Sequence, residues 1–414
     1  MPGNGIVTSY SIFGDGPIDV ASGREPGQVL HGHDGTGGMM FNSVIGDVDA
    51  LLGNAVGGND KLYGGNNAMA GHARGGNDTL IGGHDTGPGG VENALVGDAV
   101  QLAGNAVGGQ DKVVGGSNFG CGFVQNAECG DAITMSDYAR GAHDTLLAGD
   151  NYGSGFVQNA LFGTAVRMNG HSQGGHDTLY GGSNFGTGWV QDAFFGDAGL
   201  MSDFSSGGSN TLIGGSNLGR GFMQEALFGD AAIMTDSARG GGNDLAGGSN
   251  FGRGSLENVL IGNAGLMEAH AGAAGNLLCG GDSFGYGDTV NVLVGDAMTL
   301  ADFARGGNNV LVAGQAYGSG SAVENFLWGD AVTKSATATV GNDTFIFGDH
   351  SGQNNFIMDF HTGDRIEFDL DRGYRGNDLH ISQVGNSSEI RVGGVDVFLV
   401  GYTSAVPAGA ISFV

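Results

Sequence analysis

The sequence predicts an all-β protein built as a β-solenoid. Three observations support this: a long internal repeat, columns of like residues at its period, and no helical periodicity through the repeats. The repeat is clearest from Phe156 to Gly188, and its pattern returns at Trp189 and again at Phe222. Its length is about 33 residues, which lies in the range of stacked repeat architectures. The glycine of its L-x-G-D-A element recurs with this period at Gly97, Gly130, Gly163, Gly196, Gly229, Gly262, Gly295 and Gly329. A period held over so many copies is typical of units that stack on their neighbours around one elongated core.

Three columns of like residues follow the repeat. The first contains Asn42, Asn93, Asn126, Asn159, Asn258, Asn291 and Asn325, with Asp192 and Glu225 as substitutes. The second contains Met135, Met168, Met201, Met234, Met267 and then Leu300, and the third contains Phe119, Tyr152, Phe185, Leu218, Phe251, Phe284 and Tyr317. Stacking of like residues in register is how a β-solenoid fills its interior and satisfies its turns.

Two short elements alternate within the repeat, N-x-L-x-G-D and G-G-N-D-x-L-x-G-G. Their central apolar residues are separated by a longer interval, as from Leu161 to Leu179, and then by a shorter one, as from Leu179 to Phe194. The segment from Gly46 to Gly97 is longer than one repeat by the length of the longer interval, because it contains one extra G-G-N-D element. The repeats after this insertion keep their regular spacing. We therefore interpret the longer interval as one full coil and each repeat as two coils.

The pattern divides the chain into three parts. Residues 1–40 are predicted to be an N-terminal cap or irregular lead-in, residues 41–340 the solenoid, and residues 341–414 a C-terminal capping region. Aromatic residues concentrate in the last part and are expected to close the open end of the stack: Phe345, Phe347, Phe356, Phe360 and Phe368. The N-terminus has no pattern of a cleaved secretory signal, and no apolar run approaches the roughly 18 residues of a membrane helix.

Composition excludes several classes of protein. The 87 glycines follow no every-third-residue rule and there are only 5 prolines, which excludes a collagen-like chain. The three cysteines are too few to stabilise a chain of 414 residues through disulfides. With 15 Lys and Arg against 43 Asp and Glu, the net charge of −28 disfavours nucleic acids and anionic membranes as partners. A hard divalent cation is the expected partner of the acidic turns.

The G-G-N-D-x-L-x-G-G element contains the candidate metal ligands. Its glycine-rich turns let backbone carbonyls converge and its aspartate supplies a carboxylate, so oxygen ligands repeat from coil to coil and predict Ca²⁺ sites. The candidate ligands are Gly58, Asn59, Asp60, Gly76, Asn77, Asp78, Asp111, Asp144, Asp177, Asn342 and Asp343. The alternative is that each of these Asp and Asn residues only closes a turn by bonding its own backbone.

The element also carries a resemblance to a known family. Residues 57–62, 75–80, 174–179 and 341–345 resemble the glycine- and aspartate-rich nonapeptide of the RTX (hemolysin-type) calcium-binding repeat proteins. The resemblance implies a right-handed parallel β-roll with Ca²⁺ between successive turns. It also implies export by a type I secretion machine that reads an uncleaved C-terminal signal, which the end of the chain, Ile411 to Val414, resembles.

The chain departs from that family in two ways. Only about one element in two carries the aspartate, and asparagine replaces it even in the better column at Asn210, Asn276 and Asn309. We therefore expect calcium mostly near residues 57–83 and at the junction around Asp343.

The sequence thus predicts a secreted, calcium-binding structural or binding protein of the bacterial exterior, with extracellular polysaccharide or a cell surface as candidate partners. One alternative is a glycan-active β-helix enzyme, such as a lyase, epimerase or hydrolase. The chain has no H-E-x-x-H helix or phosphate loop, and the sequence leaves the question of enzymatic activity open. The other alternative, an RTX-type toxin or bacteriocin, is disfavoured because no long apolar or amphipathic helical region is present.

Overall fold

The computed structural model describes strands 7–13, 19–20, 39–45 and 50–51, and residues 68–318, 320–352, 354–370 and 378–414. These parts of the chain contain three β-sheets and one short 3-10 helix, Ala408–Ala410. Among these residues, no helix has the length and apolar character needed to cross a membrane.

The three sheets run side by side along the stack. In spatial order, sheet 1 contains β1 (Val7–Phe13), β3 (Met39–Ile45), β7 (Gly90–Val96), β10 (Phe123–Cys129), β13 (Phe156–Phe162), β16 (Trp189–Phe195), β19 (Met223–Phe228), β22 (Leu256–Ile261), β25 (Thr289–Val294), β28 (Val323–Trp328), β31 (Asn355–Ile357), β35 (Val395–Leu399), β34 (Ser387–Val392) and β33 (His380–Val384). Sheet 2 contains β2 (Asp19–Val20), β4 (Ala50–Leu51), β5 (Ala68–Met69), β8 (Ala99–Leu102), β11 (Ala132–Met135), β14 (Ala165–Met168), β17 (Ala198–Met201), β20 (Ala231–Met234), β23 (Ala264–Met267), β26 (Ala297–Leu300) and β29 (Ala331–Lys334). Sheet 3 contains β36 (Ile411–Phe413), β32 (Arg365–Asp369), β30 (Thr344–Gly348), β27 (Val310–Val312), β24 (Leu277–Cys279), β21 (Asp244–Ala246), β18 (Thr211–Ile213), β15 (Thr178–Tyr180), β12 (Thr145–Leu147), β9 (Lys112–Val114) and β6 (Thr79–Ile81).

The register identifies one repeat with one coil. Strands that are one repeat apart pair in parallel, so that Phe123 lies beside Phe156 and Phe156 lies beside Trp189. Each repeat contributes one strand to each of the three sheets. The predicted parallel β-solenoid is therefore confirmed, whereas the interpretation of each repeat as two coils is wrong.

The error came from treating the interval between Leu161 and Leu179 as a stacking distance. Leu161 lies in sheet 1 and Leu179 in sheet 3, and both belong to one hydrophobic cluster inside the same coil. The insertion near the N-terminus places Ala50 beside Ala68 in sheet 2, while Asn42 pairs directly with Asn93 in sheet 1. The insertion therefore adds a strand to sheet 2 and none to sheet 1, so it is not a full coil.

Alternation along the strands fills the interior. In β13, Val157, Asn159 and Leu161 are buried while their neighbours are partly exposed, as expected for a strand with one face in a core. The central leucines of sheets 1 and 3, such as Leu161 and Leu179, belong to one cluster. The predicted methionine column forms a second cluster, together with alanines that precede it in sheet 2 and in the following turn.

The asparagine column of sheet 1 is a buried hydrogen-bond ladder. The Asn93 side-chain amide donates to Asn126 Oδ1 at 2.8 Å, and that of Asn126 donates to Asn159 Oδ1 at 2.7 Å. Each of these amides also donates to the carbonyl of a glycine 10 residues earlier in the chain, at 3.0 Å from Asn93 to Gly83. The ladder satisfies the side chains that the fold buries.

The aromatic column also stacks in register, but it lies on the surface and not in the interior. The Phe119 and Tyr152 rings are stacked in parallel with their centroids 4.9 Å apart. Phe119 is nevertheless 52% exposed and Tyr152 is 45% exposed. Phe119 and Tyr152 directly follow the buried Asn118 and Asn151, so their own side chains point to the outer side of the chain.

The two ends of the solenoid differ. Strands β1 and β2 pair with β3 and β4, so solenoid strands begin at Val7, within the segment predicted as a cap or lead-in. At the C-terminal end, β35 pairs with β31 and continues into the antiparallel strands β34 and β33. Phe345, Phe347 and Phe368 are fully buried there, so the predicted C-terminal β cap is present.

Candidate metal centre

Most of the predicted ligands fall in one buried column, which we call the N-D column. Its members directly precede the strands of sheet 3 and have at most 4% of their surface exposed: Asp78, Asp111, Asp144, Asp177, Asn210, Asn243, Asn276, Asn309 and Asp343. From Asp111 onward, the Oδ1 atom of each accepts a backbone N–H from the same position of the preceding coil, as Asp111 Oδ1 does from Asp78 N–H at 2.7 Å. In the aspartates, one carboxylate oxygen therefore joins successive coils, and the second oxygen is left to face the interior.

A second buried column, which we call the G-D-A column, faces the first. It directly precedes the strands of sheet 2 and contains Asp98, Asp131, Thr164, Asp197, Asp230, Asn263, Asp296 and Asp330. Backbone amides hold its carboxylates in place, as Gly109 N–H does for Asp98 Oδ2 at 2.8 Å. Sequence analysis did not assign this column a role. Its only signal is that it stands at a fixed distance ahead of the N-D column in every repeat.

In the coils from Thr164 to Asn309, each facing pair includes a side chain that can donate a hydrogen bond. The Thr164 hydroxyl donates to Asp177 Oδ2 at 3.0 Å. The Asn210 amide donates to Asp197 Oδ2 at 2.9 Å, and the amide of Asn309 donates to Asp296 Oδ1 at 3.1 Å. A buried carboxylate opposite an amide or hydroxyl group is compensated without any external ligand.

The coils that begin with β7 and β10 lack such a donor, because Asp98 faces Asp111 and Asp131 faces Asp144. Within the part of the chain that the structure describes, Asp111 Oδ2 and Asp144 Oδ2 are buried and have no hydrogen-bond partner. Oxygen atoms of Asp78, Asp98 and Asp111 all lie within 4.8 Å of one another. These coils therefore concentrate negative charge in the interior.

Comparison of two glycines shows how one atom differs between the coils. A Cβ built on Gly196 would collide with both the amide nitrogen of Asn210 and the carbonyl oxygen of Gly229, which are hydrogen-bonded at 3.2 Å. A Cβ built on Gly97 would collide with Asp111 Oδ2 and with the Gly130 carbonyl oxygen. In the aspartate coil, an oxygen thus occupies the place of the amide nitrogen, opposite the same carbonyl. A positive group is missing from that contact, since both atoms are acceptors.

Burial dominates the electrostatics of these carboxyls. It raises the pKa of Asp111 well above the usual range, and the charges of Asp98, Asp78 and Asp144 raise it further. The pKa of Asp144 is raised well above its usual value in the same way, by burial and by the nearby Asp131 and Asp177. Burial raises the pKa of Asp177, which accepts from the Thr164 hydroxyl, to about 7. These groups therefore favour a proton or another positive charge beside them.

The residues at this position fit a hard divalent cation. The available atoms are carboxylate and carbonyl oxygens, the ligands that Ca²⁺ takes in sets of six to eight. The orphaned Asp111 Oδ2 supports the fit, because a cation would compensate a buried atom that otherwise has no partner among the described residues.

Among the described residues, the other predicted ligands Gly76, Asn77 and Asn342 do not join these pairs. Gly58, Asn59 and Asp60 lie outside the described residues. Gly76 is buried, whereas Asn77 is exposed and its Oδ1 accepts the Gln110 N–H at 3.0 Å. Asn342 is exposed as well, and its N–H donates to Asn308 Oδ1 at 2.8 Å. For Asn77 and Asn342, the observed contacts are turn contacts between neighbouring coils.

The last facing pair, Asp330 and Asp343, has a histidine beside it. His361 Nε2 lies 3.0 Å from Asp330 Oδ2, and His361 Nδ1 lies 3.3 Å from Asp364 Oδ1. The hydrogen bond with Asp330 raises the pKa of His361 to about 9, and burial raises that of Asp343 to about 8. Sequence analysis assigned Asp343 but missed Asp330 and His361, because His361 lies in the cap and belongs to no column.

Comparison with known proteins gives no assignment: no protein-family model matches the chain, and no curated protein matches it significantly.

Proposed function

We propose that this protein is a calcium-stabilised β-solenoid that serves as a structural or binding protein of the bacterial exterior. The observation that carries the proposal is the pair of coils in which Asp98 faces Asp111 and Asp131 faces Asp144, with buried oxygens of Asp111 and Asp144 that find no donor among the described residues. A bound Ca²⁺ would compensate these oxygens, as the amide or hydroxyl donors of asparagine and threonine do in later coils.

In this proposal, the G-D-A column supplies carboxylates that backbone amides hold in place, and the N-D column supplies the oxygen that a cation would contact. Asp98 and Asp131 are held by backbone amides, from Gly109 at 2.8 Å and from Ala142 at 3.1 Å. Asp111 uses Oδ1 to join the coil before it, so Oδ2 is the atom available to a cation. Calcium bound there would lie between coils and strengthen their stacking in the N-terminal half of the solenoid.

A location outside the cell follows from the same proposal. Extracellular calcium modules bind with a Kd of about 10⁻⁴–10⁻³ M, so a chain of this kind would gain its full stability only after export. The likeness of the Gly-Gly-Asn-Asp turns to RTX repeats supports export by a type I secretion machine as part of this proposal.

Thermal unfolding followed by circular dichroism tests the proposal. We expect the β-sheet signal to melt at a higher temperature in millimolar Ca²⁺ than in excess chelator, because binding to the native state alone adds roughly 0.4–1.4 kcal/mol per site at about 1–10 times the Kd. Equilibrium dialysis should give a Kd in the range of extracellular modules. Identical melts in both solutions, with no calcium retained, would exclude calcium from the function.

A groove on the surface supports polysaccharide binding as a second candidate function. Its volume is about 950 Å³, and it is lined by glycines and by a row of aromatic rings: Gly122, Gly155, Gly188, Phe123, Phe156, Trp189 and Phe222. The Trp189 ring is tilted by 49° and 57° to its two neighbours, so ring faces are available for stacking on a sugar. The rings of Phe119, Tyr152 and Phe185, in contrast, are parallel within 3° and cover one another.

Affinity electrophoresis with neutral and acidic polysaccharides tests this second function. We expect Trp189→Ala to lose binding and Tyr152→Ala, in the closed aromatic column, to retain it. Equal retardation of both variants and the unchanged protein would count against the groove, and new reducing ends would indicate an enzyme instead.

A further inference from the structure

The C-terminal end of the facing columns differs from the rest of the interior because it includes a nitrogen ligand. Asp330 follows β28, Asp343 precedes β30, and His361 lies between β31 and β32. One ligand atom from each of these three side chains lies within 4.8 Å of the others. Three separate segments thus converge on one point at the junction of the last repeat and the cap.

The neighbouring backbone fixes both carboxylates. Asp330 Oδ1 accepts the Gly341 N–H at 3.0 Å, and Asp343 Oδ1 accepts the Asn309 N–H at 2.7 Å. Their Oδ2 atoms remain for the convergence point. Asp343 is 1% exposed, and its Oδ2 is buried with no hydrogen-bond partner in the described part of the chain. An orphaned oxygen aimed into a cluster of potential ligands indicates a missing positive group.

Asp364 orients the histidine. Its Oδ2 accepts the His361 backbone N–H at 2.8 Å, and its Oδ1 lies 3.3 Å from His361 Nδ1. This leaves Nε2 directed at Asp330. A carboxylate that holds one ring nitrogen while the other faces a ligand point is the usual second contact of metal-binding histidines.

We propose that Asp330, Asp343 and His361 form a binding site for a transition-metal dication of the Zn²⁺ class, in place of the calcium that the sequence predicts at Asp343. This site is separate from the calcium positions proposed at Asp111 and Asp144 and independent of that proposal. One imidazole and two carboxylates are a set that such ions accept, whereas Ca²⁺ prefers oxygen alone. The metal replaces the proton on His361 Nε2. The His361 side chain is 24% exposed, so the site can be reached from solvent at the histidine.

The site connects the cap to the solenoid. Asp330 and Asp343 belong to the last repeat, and His361 belongs to the segment that leads into β32, whose partner strand is β30. A metal held by all three would fix that segment against the stack. The exposed Lys334, whose Nζ lies 3.4 Å from Asp330 Oδ2, is the only lysine in salt-bridge contact with this cluster among the described residues.

Titration of the full-length protein with Zn²⁺, and with Co²⁺ as a spectroscopic probe, tests the site. We expect one tight equivalent of metal, with visible Co²⁺ absorption of a nitrogen- and oxygen-ligated ion. His361→Ala should weaken binding at least tenfold, and so should Asp343→Asn, which matches the asparagines found in the same column and should fold. His350→Ala, outside the cluster, should bind as tightly as the unchanged protein.

The outcomes separate this site from the calcium positions. If the proposal holds, His361→Ala keeps whatever calcium-dependent shift in melting temperature the unchanged protein has. Absence of tight Zn²⁺ binding by the folded protein would overturn the proposal, because the histidine would then serve only as an ion-pair partner of Asp330. Unaltered Zn²⁺ affinity in both His361→Ala and Asp343→Asn would overturn it as well.

Discussion

The early and later coils of this solenoid have the same strand pattern and differ at one atom between the two facing columns, which is a carboxylate oxygen in the early coils and an amide nitrogen in the later ones. In the coil of Asp197 and Asn210, an amide nitrogen contacts a carboxylate at 2.9 Å and a carbonyl at 3.2 Å. In the coil of Asp98 and Asp111, an oxygen stands at the same place, opposite the same kinds of acceptor. The later coil is complete by itself, whereas the earlier coil requires a proton or a cation.

This difference separates two uses of one column. An asparagine in the N-D column supplies a hydrogen-bond donor to the facing carboxylate at any calcium concentration, because its amide hydrogens are permanent. An aspartate pair makes stability conditional on what occupies the interior, since an uncompensated buried charge is costly. A solenoid with both types has one part in which the facing carboxylates need a cation or a proton, and another part in which a side-chain amide or hydroxyl group takes that place.

The largest effect is expected from converting the early coils into the later type. Asp111→Asn combined with Asp144→Asn would place an amide opposite each of Asp98 and Asp131, as Asn210 stands opposite Asp197. In chelator, we expect the variant to be more stable by roughly 3–5 kcal/mol, because each change removes a buried unpaired charge. Thermal melts in chelator and in calcium measure this, and the variant should lose its calcium-dependent shift.

The exposed Asp203→Asn variant is the matched control, since it removes the same charge from a turn on the surface. If the double variant still melts higher with calcium by as much as the unchanged protein, the cation binds elsewhere in the chain.

The reverse change should give a smaller effect of opposite sign. Asn210→Asp creates a new carboxylate pair with Asp197 and removes the amide that bonds Asp197 and the Gly229 carbonyl. We expect a loss of roughly 1–3 kcal/mol in chelator, because buried acceptors are left without their donor. Calcium should restore the stability, and equilibrium dialysis should detect one additional bound ion.

A loss of stability that calcium does not repair would contradict the interpretation. The aspartate coils would then differ from the asparagine coils by more than the identity of one atom.

The repeat predicted the solenoid, but sequence spacing did not say which residues stack and which face one another. The separation of Leu161 from Leu179 along the chain is equally compatible with neighbouring coils and with opposite walls of one coil. Only the register, which pairs Phe156 with Trp189, distinguishes the two. The aromatic column has the same period as the buried columns, so the sequence did not show that this column lies on the surface.

Only one of the two facing columns of the candidate metal centre, the N-D column, was predicted from the sequence. Asp111 and Asp144 were found because glycine-rich turns around an aspartate suggest oxygen ligands. Asp98 and Asp131 were missed because their element was assigned to the asparagine ladder of the neighbouring strand. Their role depends on a contact across the cross-section of the coil, which sequence distance does not contain.

The smallest expected effect is on the pH dependence of stability, at a buried carboxylate that accepts two hydrogen bonds. Asp192 replaces asparagine in the ladder of sheet 1, where it accepts from the Asn159 amide at 2.7 Å and from the Gly182 N–H at 3.0 Å. Burial still raises its pKa to about 7. A carboxyl whose folded-state pKa is raised favours folding at low pH, and this contribution is lost as the pH rises from the unfolded value of 3.8 towards about 7.

Asp192→Asn in chelator should therefore reduce the loss of stability between pH 6 and pH 8 by about 1 kcal/mol, as measured by denaturant unfolding. An unchanged pH dependence would mean that two donors suffice to keep a buried carboxylate ionised, and that the early coils differ from this ladder only in lacking them.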